Sequence, residues 1–211
     1  DNNEKSICLY LLFSPLFFKS IFKRFNSVIL ASATLEPLEY YLKIYGLENN
    51  TQVINLSHNY NPNTFSIFVK SIDTKFINRN PENYAKIIKI IKEISSLIDG
   101  NIGVFTPSYE VIDGLINNGL EYEIKRQFLV EKKNMNSYEI NELFNKLKSL
   151  TKPNYIFLGV QGGRLAEGED FQGIKLNAVI ILGLALEKPS EILKEKIEYT
   201  EKLFPKKGIL Y

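Results

Sequence analysis

Short, almost wholly apolar runs alternate along this chain with longer runs in which apolar residues recur at helical spacing. The runs Ile102–Phe105, Tyr155–Val160 and Ala178–Leu184 contain almost no polar side chains, as in strands that are buried on both faces of a sheet. Between them, apolar residues return every three or four positions, as in helices with one buried face. This order predicts an α/β fold in which helices cover both faces of a doubly wound parallel sheet.

The same patterns place the other elements. Pro81 begins the best-defined helix, because proline is tolerated at the first helical position, and Asp99-Gly100 ends it. Isoleucines form one face of this helix: Ile87, Ile88, Ile91, Ile94, Ile98. The further strand candidates are Ser27–Ser32, Thr51–Leu56, Phe65–Lys70 and Gln127–Val130. The further helix candidates are Pro37–Tyr45, Ser108–Asn117, Ser137–Leu150 and a last helix that follows Pro189 and ends near Phe204-Pro205. For the helix at Ser137 we predict Ser137 as the N-cap without a capping box, because Ile140 is apolar.

Composition excludes several classes of protein. The net charge is only +2, so nucleic acid would have to bind a local surface. Cys8 is the only cysteine, which excludes an internal disulfide and a cysteine-built metal site and suits a reducing cytoplasm. His58 is the only histidine, and without a nucleophile elbow it does not predict a Ser-His-Asp triad. The sequence contains neither an apolar run of membrane-spanning length nor an evident signal peptide.

The two ends of the sequence resemble cuts within a longer protein. The chain begins at Asp1 without a methionine, and it ends at Tyr211 just after an apolar Gly-Ile-Leu that resembles the start of a strand. We therefore expect a piece of a larger protein. We also expect a monomer without a membrane partner, in the cytoplasm or, in a eukaryote, the nucleus.

Three unusual loops follow predicted strands, and ligands of such sheets bind beyond the carboxyl ends of the strands. In the loop Ser32–Leu35, the hydroxyls of Ser32 and Thr34 can bind a phosphate or cap the next helix, and the cap is the better interpretation of this segment alone. In the loop Thr106–Tyr109, Ser108 begins a helix whose amino end favours an anion, and Tyr109 can stack on a base. A plain N-cap with a half-buried tyrosine explains this second loop equally well.

The third loop, Gln161–Phe171, combines glycines with carboxylates and an arginine. Glycine permits a close approach of the backbone to a ligand, and the fork of Arg164 suits a phosphate. Asp170 can accept from a ribose hydroxyl, and Glu167 can orient Arg164 or a water molecule. We favour this interpretation over a solvated charged turn. The loop is neither a Walker A sequence nor a dinucleotide fingerprint.

The order of these loops resembles the XPD-like branch of superfamily 2 helicases. Val28-Ile-Leu-Ala-Ser-Ala-Thr-Leu-Glu-Pro-Leu is similar to motif III, and Val104-Phe-Thr-Pro-Ser-Tyr is similar to motif IV. Gly163-Arg-Leu-Ala-Glu-Gly-Glu-Asp-Phe resembles motif V, which reads Gly-Lys-x-Ser-Glu-Gly-x-Asp-Phe in the family. The resemblance covers about residues 26–205, and it lies in the ordered trio more than in any one motif.

The resemblance implies a RecA-like fold, the second motor domain of an ATP-driven DNA helicase that moves 5′ to 3′ on single-stranded DNA. Residues 1–35 would then be the end of the first motor domain or a leading strand segment, and residues 36–211 the second domain, truncated before motif VI. ATP with Mg²⁺ would lie between this domain and the first motor domain. The resemblance also implies a role in DNA repair, including nucleotide excision repair. A 4Fe–4S cluster would use cysteines of the first motor domain, and Cys8 does not indicate one.

The resemblance also assigns roles to residues of the three loops. Ser32 and Thr34 would couple the state of the nucleotide to movement of DNA. The residues implied in contact with DNA are Thr106, Ser108, Tyr109 and Gly163. Those implied at the nucleotide cleft are Arg164, Glu167, Gly168 and Asp170.

Motif V departs from the family pattern in three places. Gly162 stands where a basic residue is usual, Ala166 where serine is usual, and Glu169 where an apolar residue is usual. These changes keep open an alternative function, a non-catalytic nucleic-acid-binding module with a RecA-like fold. A third class, an α/β domain for a small molecule, predicts no affinity for DNA. Since Walker A, Asp-Glu-x-His and the motif VI arginines are absent from the sequence, we expect no ATPase activity from this chain alone.

Overall fold

A computed structural model of the protein describes residues 9–11, 15–47, 51–56, 66–149, 154–163, 166, 176–187 and 189–205. The chain forms two compact units. The first, here called the sheet unit, is Thr64–Leu186, and the second, here called the terminal unit, consists of Asp1–Asn63 and Glu187–Tyr211.

The sheet unit contains a parallel sheet of four strands. They are β1 (Asn101–Thr106), β2 (Gln127–Val130), β3 (Tyr155–Val160) and β4 (Leu176–Ile181). Their order is β2-β3-β1-β4, with Val104 of β1 opposite Leu158 of β3 on one side and Ile180 of β4 on the other. The inner strands β1 and β3 are buried along almost their whole length. The edge strand β4 instead alternates half-buried with exposed residues, because successive side chains of a strand point to opposite faces of the sheet.

Helices lie on both faces of this sheet. Among the described residues, the α-helices of the unit are α3 (Pro81–Leu97), α4 (Tyr109–Asn117), α5 (Leu120–Glu123) and α6 (Ser137–Lys148), and a short 3₁₀ helix, Phe76–Asn78, precedes α3. The larger core joins the first three of these to one face of the sheet, through residues such as Ile91, Leu115 and Leu120. The smaller core joins α6 to the other face, where Ile140 packs with Phe157 and Leu129. The predicted α/β class with both faces covered is thus confirmed.

The isoleucine face of α3 forms part of the larger core. Ile87, Ile88 and Ile91 are buried, and burial of such a side chain contributes about 1.5–3 kcal/mol relative to its exposure. The helix begins as predicted, with Pro81 at its first position, and the Asn80 side chain accepts a hydrogen bond from the Asn83 N–H at 3.0 Å. Its apolar spacing and its first residue were therefore both readable from the sequence.

The start of α6 corrects one prediction. Asn136, not Ser137, is the cap, since its Oδ1 accepts from the Glu139 N–H at 3.0 Å. In return, the Asn136 N–H donates to Glu139 Oε2 at 2.7 Å, which makes a capping box. The predicted cap was wrong by one residue. With Ser137 as the cap, the third helical position would be the apolar Ile140, whereas with Asn136 as the cap it is Glu139, which completes the box.

The terminal unit contains three described helices, α1 (Pro15–Phe22), α2 (Leu38–Tyr45) and α7 (Glu191–Leu203). Helix α2 ends at Gly46, whose φ of 66° lies in the left-handed region. Aromatic contacts join these helices: the Phe18 and Tyr45 ring centroids are 4.8 Å apart, and those of Tyr40 and Phe204 are 5.6 Å apart. The sequence did not predict α1.

Three strand predictions are not met by the described residues. The segments Ser27–Ser32, Thr51–Leu56 and Ser66–Lys70 (the described part of Phe65–Lys70) belong to no strand. Their apolar side chains are exposed, for instance Ile29 at 89% and Phe68 at 86%. A strand exists only through pairing with a neighbour, and apolar composition alone does not provide that neighbour.

Candidate functional site

The loops that follow β1 and β3 lie side by side at the carboxyl edge of the sheet. The Gln161 N–H donates to the Thr106 carbonyl at 2.8 Å, which joins the two loops directly. Thr106 is fully buried, and its hydroxyl donates to the Ser108 carbonyl at 2.9 Å. Parallel strands thus bring together the second and third predicted loops, as the topology requires.

The Gln161 side chain fastens the third loop to the sheet. Its Nε2 donates to the Phe105 carbonyl at 3.3 Å and to the Gly183 carbonyl at 3.1 Å, while its Oε1 accepts from the Ala185 N–H at 3.2 Å. One amide therefore holds the carboxyl ends of β1 and β4. Sequence reasoning took Gln161 only as the first residue of the loop, because an amide side chain carries no signal of its eventual partners.

Ser108 occupies the N-cap position of α4 but makes no side-chain cap. Its hydroxyl instead donates to Glu110 Oε2 at 3.2 Å. The same Glu110 oxygen lies 3.2 Å from Nη1 of Arg79. The predicted helix start is confirmed, whereas the capping hydrogen bond is replaced by this small cluster of an arginine, a carboxylate and a hydroxyl. Burial raises the pKa of Tyr84, on which the charges of Arg79 and Glu110 act in opposite directions.

Tyr109 is half-buried, and its hydroxyl is bound to a carboxylate that the sequence did not single out. The Tyr109 hydroxyl donates to Glu131 Oε1 at 2.8 Å. Glu131, directly after β2, is only 2% exposed, and its Oε2 accepts from the Val160 N–H at 3.1 Å. One buried carboxylate therefore connects the second loop with the start of the third. A single glutamate after a strand forms no recognisable motif, so nothing in the sequence indicated that Glu131 would be buried between these two loops.

Steric constraints explain why glycine occupies two positions at the start of the third loop. Gly162 has a φ of 69°, in the left-handed region that favours glycine. A Cβ on Gly163 would lie 2.8 Å from Glu131 Oε1 and 2.8 Å from the Val160 carbonyl oxygen. The prediction was a close approach of this backbone to a ligand, and the described neighbours of Gly163 are instead a carboxylate and a carbonyl of the protein itself.

The predicted nucleotide-cleft residues lie outside the described residues, namely Arg164, Glu167, Gly168 and Asp170. The same holds for Cys8, His58 and Glu169. Ala166, where the family pattern has serine, is described and exposed. What the structure describes of the third loop is thus its beginning, where it leaves β3.

The first loop belongs to the terminal unit. Ser32 and Thr34 are exposed, and the Thr34 N–H donates to Ser32 Oγ at 3.2 Å. Neither hydroxyl caps α2, because Pro37 holds the N-cap position without a side-chain cap. The capping interpretation was therefore wrong.

The described ranges of the chain contain neither a metal-ligand cluster nor a membrane-spanning helix. Within those ranges, the structure groups no three histidine, cysteine, aspartate or glutamate side chains closely enough to hold a metal ion. Among the helices built from described residues, none is both long enough and apolar enough to cross a membrane.

Comparison with known proteins gives consistent matches. A family model described as the helicase C-terminal domain matches residues 91–210. The general transcription and DNA repair factor IIH helicase subunit XPD of Arabidopsis thaliana is 26% identical over 90% of this chain and 27% of its own length. The ATP-dependent DNA helicase CHL1 of Vanderwaltozyma polyspora is 31% identical over 86% of this chain and 23% of its own length. The solved structure of S. tokodaii Xpd4 has a TM-score of 0.45 and 19% identity, over 65% of this chain and 25% of that chain.

This chain spans about a quarter of the length of the curated relatives it matches. The family model nevertheless covers more than half of the chain, including β1, the second loop and β3. The chain belongs to the helicase C-terminal domain family, as an XPD-like member of superfamily 2.

Proposed function

We propose that this chain is the second motor domain of an ATP-dependent DNA helicase of the XPD type. In this proposal the complete protein moves 5′ to 3′ along single-stranded DNA, and ATP with Mg²⁺ lies between this domain and a first motor domain of the same protein. ATP supplies the phosphoryl group whose transfer drives movement, and catalysis of that transfer consists largely of positioning and charge stabilisation.

One observation carries the proposal: the motif IV and motif V loops are joined at the carboxyl edge of the sheet. The Gln161 N–H binds the Thr106 carbonyl at 2.8 Å, so a ligand on this edge would meet both loops. The amino end of α4 is at the same edge, and helix amino ends attract phosphates. Lys132 and Lys133 are exposed just after β2 and add positive charge at this end of the strands.

The structure supports direct DNA contact more strongly for some residues than for others. Ser108 and Tyr109 are half-buried at the edge and accessible in part, and Gly163 ends the adjacent turn, where its N–H donates to the Val160 carbonyl at 2.9 Å. Thr106 is fully buried, so we assign it to shaping the loop through its bond to the Ser108 carbonyl. In the terminal unit, the exposure of Ser32 and Thr34 supports the proposed coupling role.

The nucleotide side of the proposal rests on residue chemistry. Arg164 has the forked guanidinium that suits a phosphate, and Asp170 a carboxylate that can accept from a ribose hydroxyl. Glu167 and Gly168 would complete that side of the cleft. The wider setting belongs to the same proposal: a monomer, in the cytoplasm or a nucleus, with a role in DNA repair that includes nucleotide excision repair. Any 4Fe–4S cluster would belong to the first motor domain.

A non-catalytic nucleic-acid-binding module is the second candidate, and one observation favours it. Gly162 adopts a φ of 69°, so this turn is built for glycine where the family usually has a basic residue. The phosphate contact of that basic side chain is therefore missing. Both candidates predict binding of DNA, and only the motor predicts DNA-stimulated ATP hydrolysis by the complete protein.

Fluorescence anisotropy of this chain with a labelled oligothymidine tests the shared prediction. We expect binding at about 50 mM salt that weakens strongly at about 200 mM, because phosphate contacts release counterions. Tyr109→Leu keeps apolar bulk but removes the aromatic face, so it should weaken binding roughly 5- to 150-fold, the range for loss of one stacked base.

Tyr122→Leu is the matched control. Tyr122 is 93% exposed on α5, which precedes β2 and therefore lies towards the amino ends of the strands. Its substitution should leave affinity unchanged. No binding by the unsubstituted chain, or equal losses from the two substitutions, would contradict the proposed DNA surface.

A further inference from the structure

Glu131 is the most deeply buried acidic side chain among the described residues of the sheet unit, and it lies between the two motif loops. It follows β2 directly, and its own N–H donates to the Leu158 carbonyl at 2.9 Å, which fixes its backbone against β3. A buried carboxylate is costly unless donors satisfy its oxygens. Here one oxygen has a donor from the start of α4 and the other has a donor from the end of β3.

The two donors are the groups that a DNA-binding edge would need to hold in place. Oε1 accepts from the Tyr109 hydroxyl at 2.8 Å, and Oε2 accepts from the Val160 N–H at 3.1 Å. The first bond fixes the direction of an aromatic ring that begins α4. The second bond fixes Val160, the last residue of β3, directly before the turn that contains Gly162 and Gly163, here called the glycine turn. Glu131 therefore sets the distance between that ring and the turn.

The glycines around Glu131 indicate that the protein makes room for this side chain. A Cβ on Gly163 would lie 2.8 Å from Oε1, and one on Gly159 would lie 3.3 Å from Oε2. The position of the carboxylate is thus restricted by backbone on one side and by the tyrosine on the other. Side chains held in this way have little freedom to reorient.

We infer that Glu131 is a positioning residue of the DNA-binding edge: its carboxylate holds the Tyr109 ring and the Val160–Gly163 turn in one geometry. This inference rests on the proposed function, because it presumes that Tyr109 contacts single-stranded DNA. Glu131 itself touches no DNA in this arrangement, since it is buried beneath the edge. It acts through Tyr109 and the turn.

The sign of the effect on affinity separates positioning from simple charge. Removal of a carboxylate from a surface that binds a polyanion should, on charge alone, strengthen binding. Positioning predicts the reverse, because a released tyrosine ring must be ordered again when DNA binds. A weaker complex after loss of a negative charge would therefore be specific to the positioning role.

The experiment measures the Kd of this chain for oligothymidine by anisotropy. Glu131→Leu keeps the size of the side chain and removes both acceptors, and Tyr109→Phe removes the same link from the other side with a smaller change in packing. We expect each to raise the Kd about three- to tenfold, the range that one hydrogen bond supports. The double variant should bind no more weakly than Glu131→Leu, because both changes break one link. Glu131→Gln can still accept from the Val160 N–H and bind the tyrosine hydroxyl, so its Kd should lie within about twofold of that of the unsubstituted chain.

Asn101→Ala is the control for a merely structural effect. Asn101 is 6% exposed, and its Oδ1 accepts from the Tyr155 N–H at 3.1 Å, so it is a buried polar link between β1 and β3 at the amino edge of the sheet. It should lower the melting temperature without raising the Kd. If Glu131→Leu binds as tightly as the unsubstituted chain or more tightly, or if Asn101→Ala weakens binding equally, the inference alone is overturned. If the unsubstituted chain does not bind, the proposed function fails and the inference fails with it.

Discussion

At the scale of single residues, Arg126 shows how a charged side chain can stabilise the end of a helix. Its Nη2 donates to the Ser95 carbonyl at 2.7 Å and to the Ile98 carbonyl, and its Nη1 donates to the Gly100 carbonyl. These carbonyls belong to the carboxyl end of α3 and the turn after it, where a helix has unpaired acceptors and a partial negative charge. Arg126 is thus a cap for α3 from a distant part of the chain.

Substitution of Arg126 should therefore destabilise the sheet unit. We expect Arg126→Ala to lower the free energy of unfolding by about 1–3 kcal/mol, since hydrogen bonds to a charged group are lost. Arg126→Lys should recover only part, because one ammonium cannot reproduce the planar fork. Urea denaturation followed by circular dichroism measures both. Lys125→Ala removes the same charge from an exposed neighbour and should have little effect, so equal midpoints for the two alanine variants would refute the cap.

At the scale of elements, α6 shows that a cap can be displaced from its predicted residue. Asn136 and Glu139 bind each other's backbone N–H groups at 3.0 and 2.7 Å. Helix α6 covers its face of the sheet through Ile140, which is buried beside Phe157. The capping box therefore fixes where the apolar stripe of α6 begins, and with it the packing of the smaller core.

Asn136→Ala should lower the free energy of unfolding by about 0.5–2 kcal/mol, as loss of an N-cap does elsewhere. Ser137→Ala is the matched control, and it should be nearly neutral because Ser137 lies inside the helix. The midpoints of urea denaturation compare the two. A larger loss from Ser137→Ala would restore the cap that the sequence suggested.

At the scale of the whole molecule, the chain carries a net charge of only +2 and a local edge that we propose binds DNA. A phosphoryl-transfer site needs donors that converge on one phosphate. The sequence of this chain contains no Walker A segment, and in the proposed function part of that set comes from the first motor domain.

We accordingly expect this chain alone to release no phosphate from ATP, with or without oligothymidine. A phosphate-release assay measures this, on a preparation whose DNA binding has been verified by anisotropy. An unrelated active ATPase under the same conditions is the positive control. DNA-stimulated hydrolysis by the chain would contradict the expectation.

The sheet could be predicted from the sequence more fully than the site. The bounds of β2 and β3 were predicted to the residue, because a short apolar run between polar loops has few other folds available. The segment Ser27–Ser32 has a similar composition and forms no strand, because strand formation depends on a partner that composition does not encode. Edge strand β4 began two residues earlier than predicted, at Leu176.

The motif order located the edge at which the candidate site lies, whereas its internal bonds could not be anticipated. Ser108 and Tyr109 stand at the predicted start of α4. The partner of Tyr109 is Glu131, which lies 22 positions further along the chain and was assigned no role. Hydrogen bonds between distant residues depend on the three-dimensional packing, which a one-dimensional pattern does not record.

The side-chain amide of Gln161 restricts how the glycine turn can move. Because it is bonded to the carbonyls of Phe105 and Gly183 and to the N–H of Ala185, the base of the turn cannot swing like a hinged flap without breaking those bonds. These bonds link the turn to the segments at the ends of β1 and β4, so we expect a displacement at Gly162 to reach those strand ends.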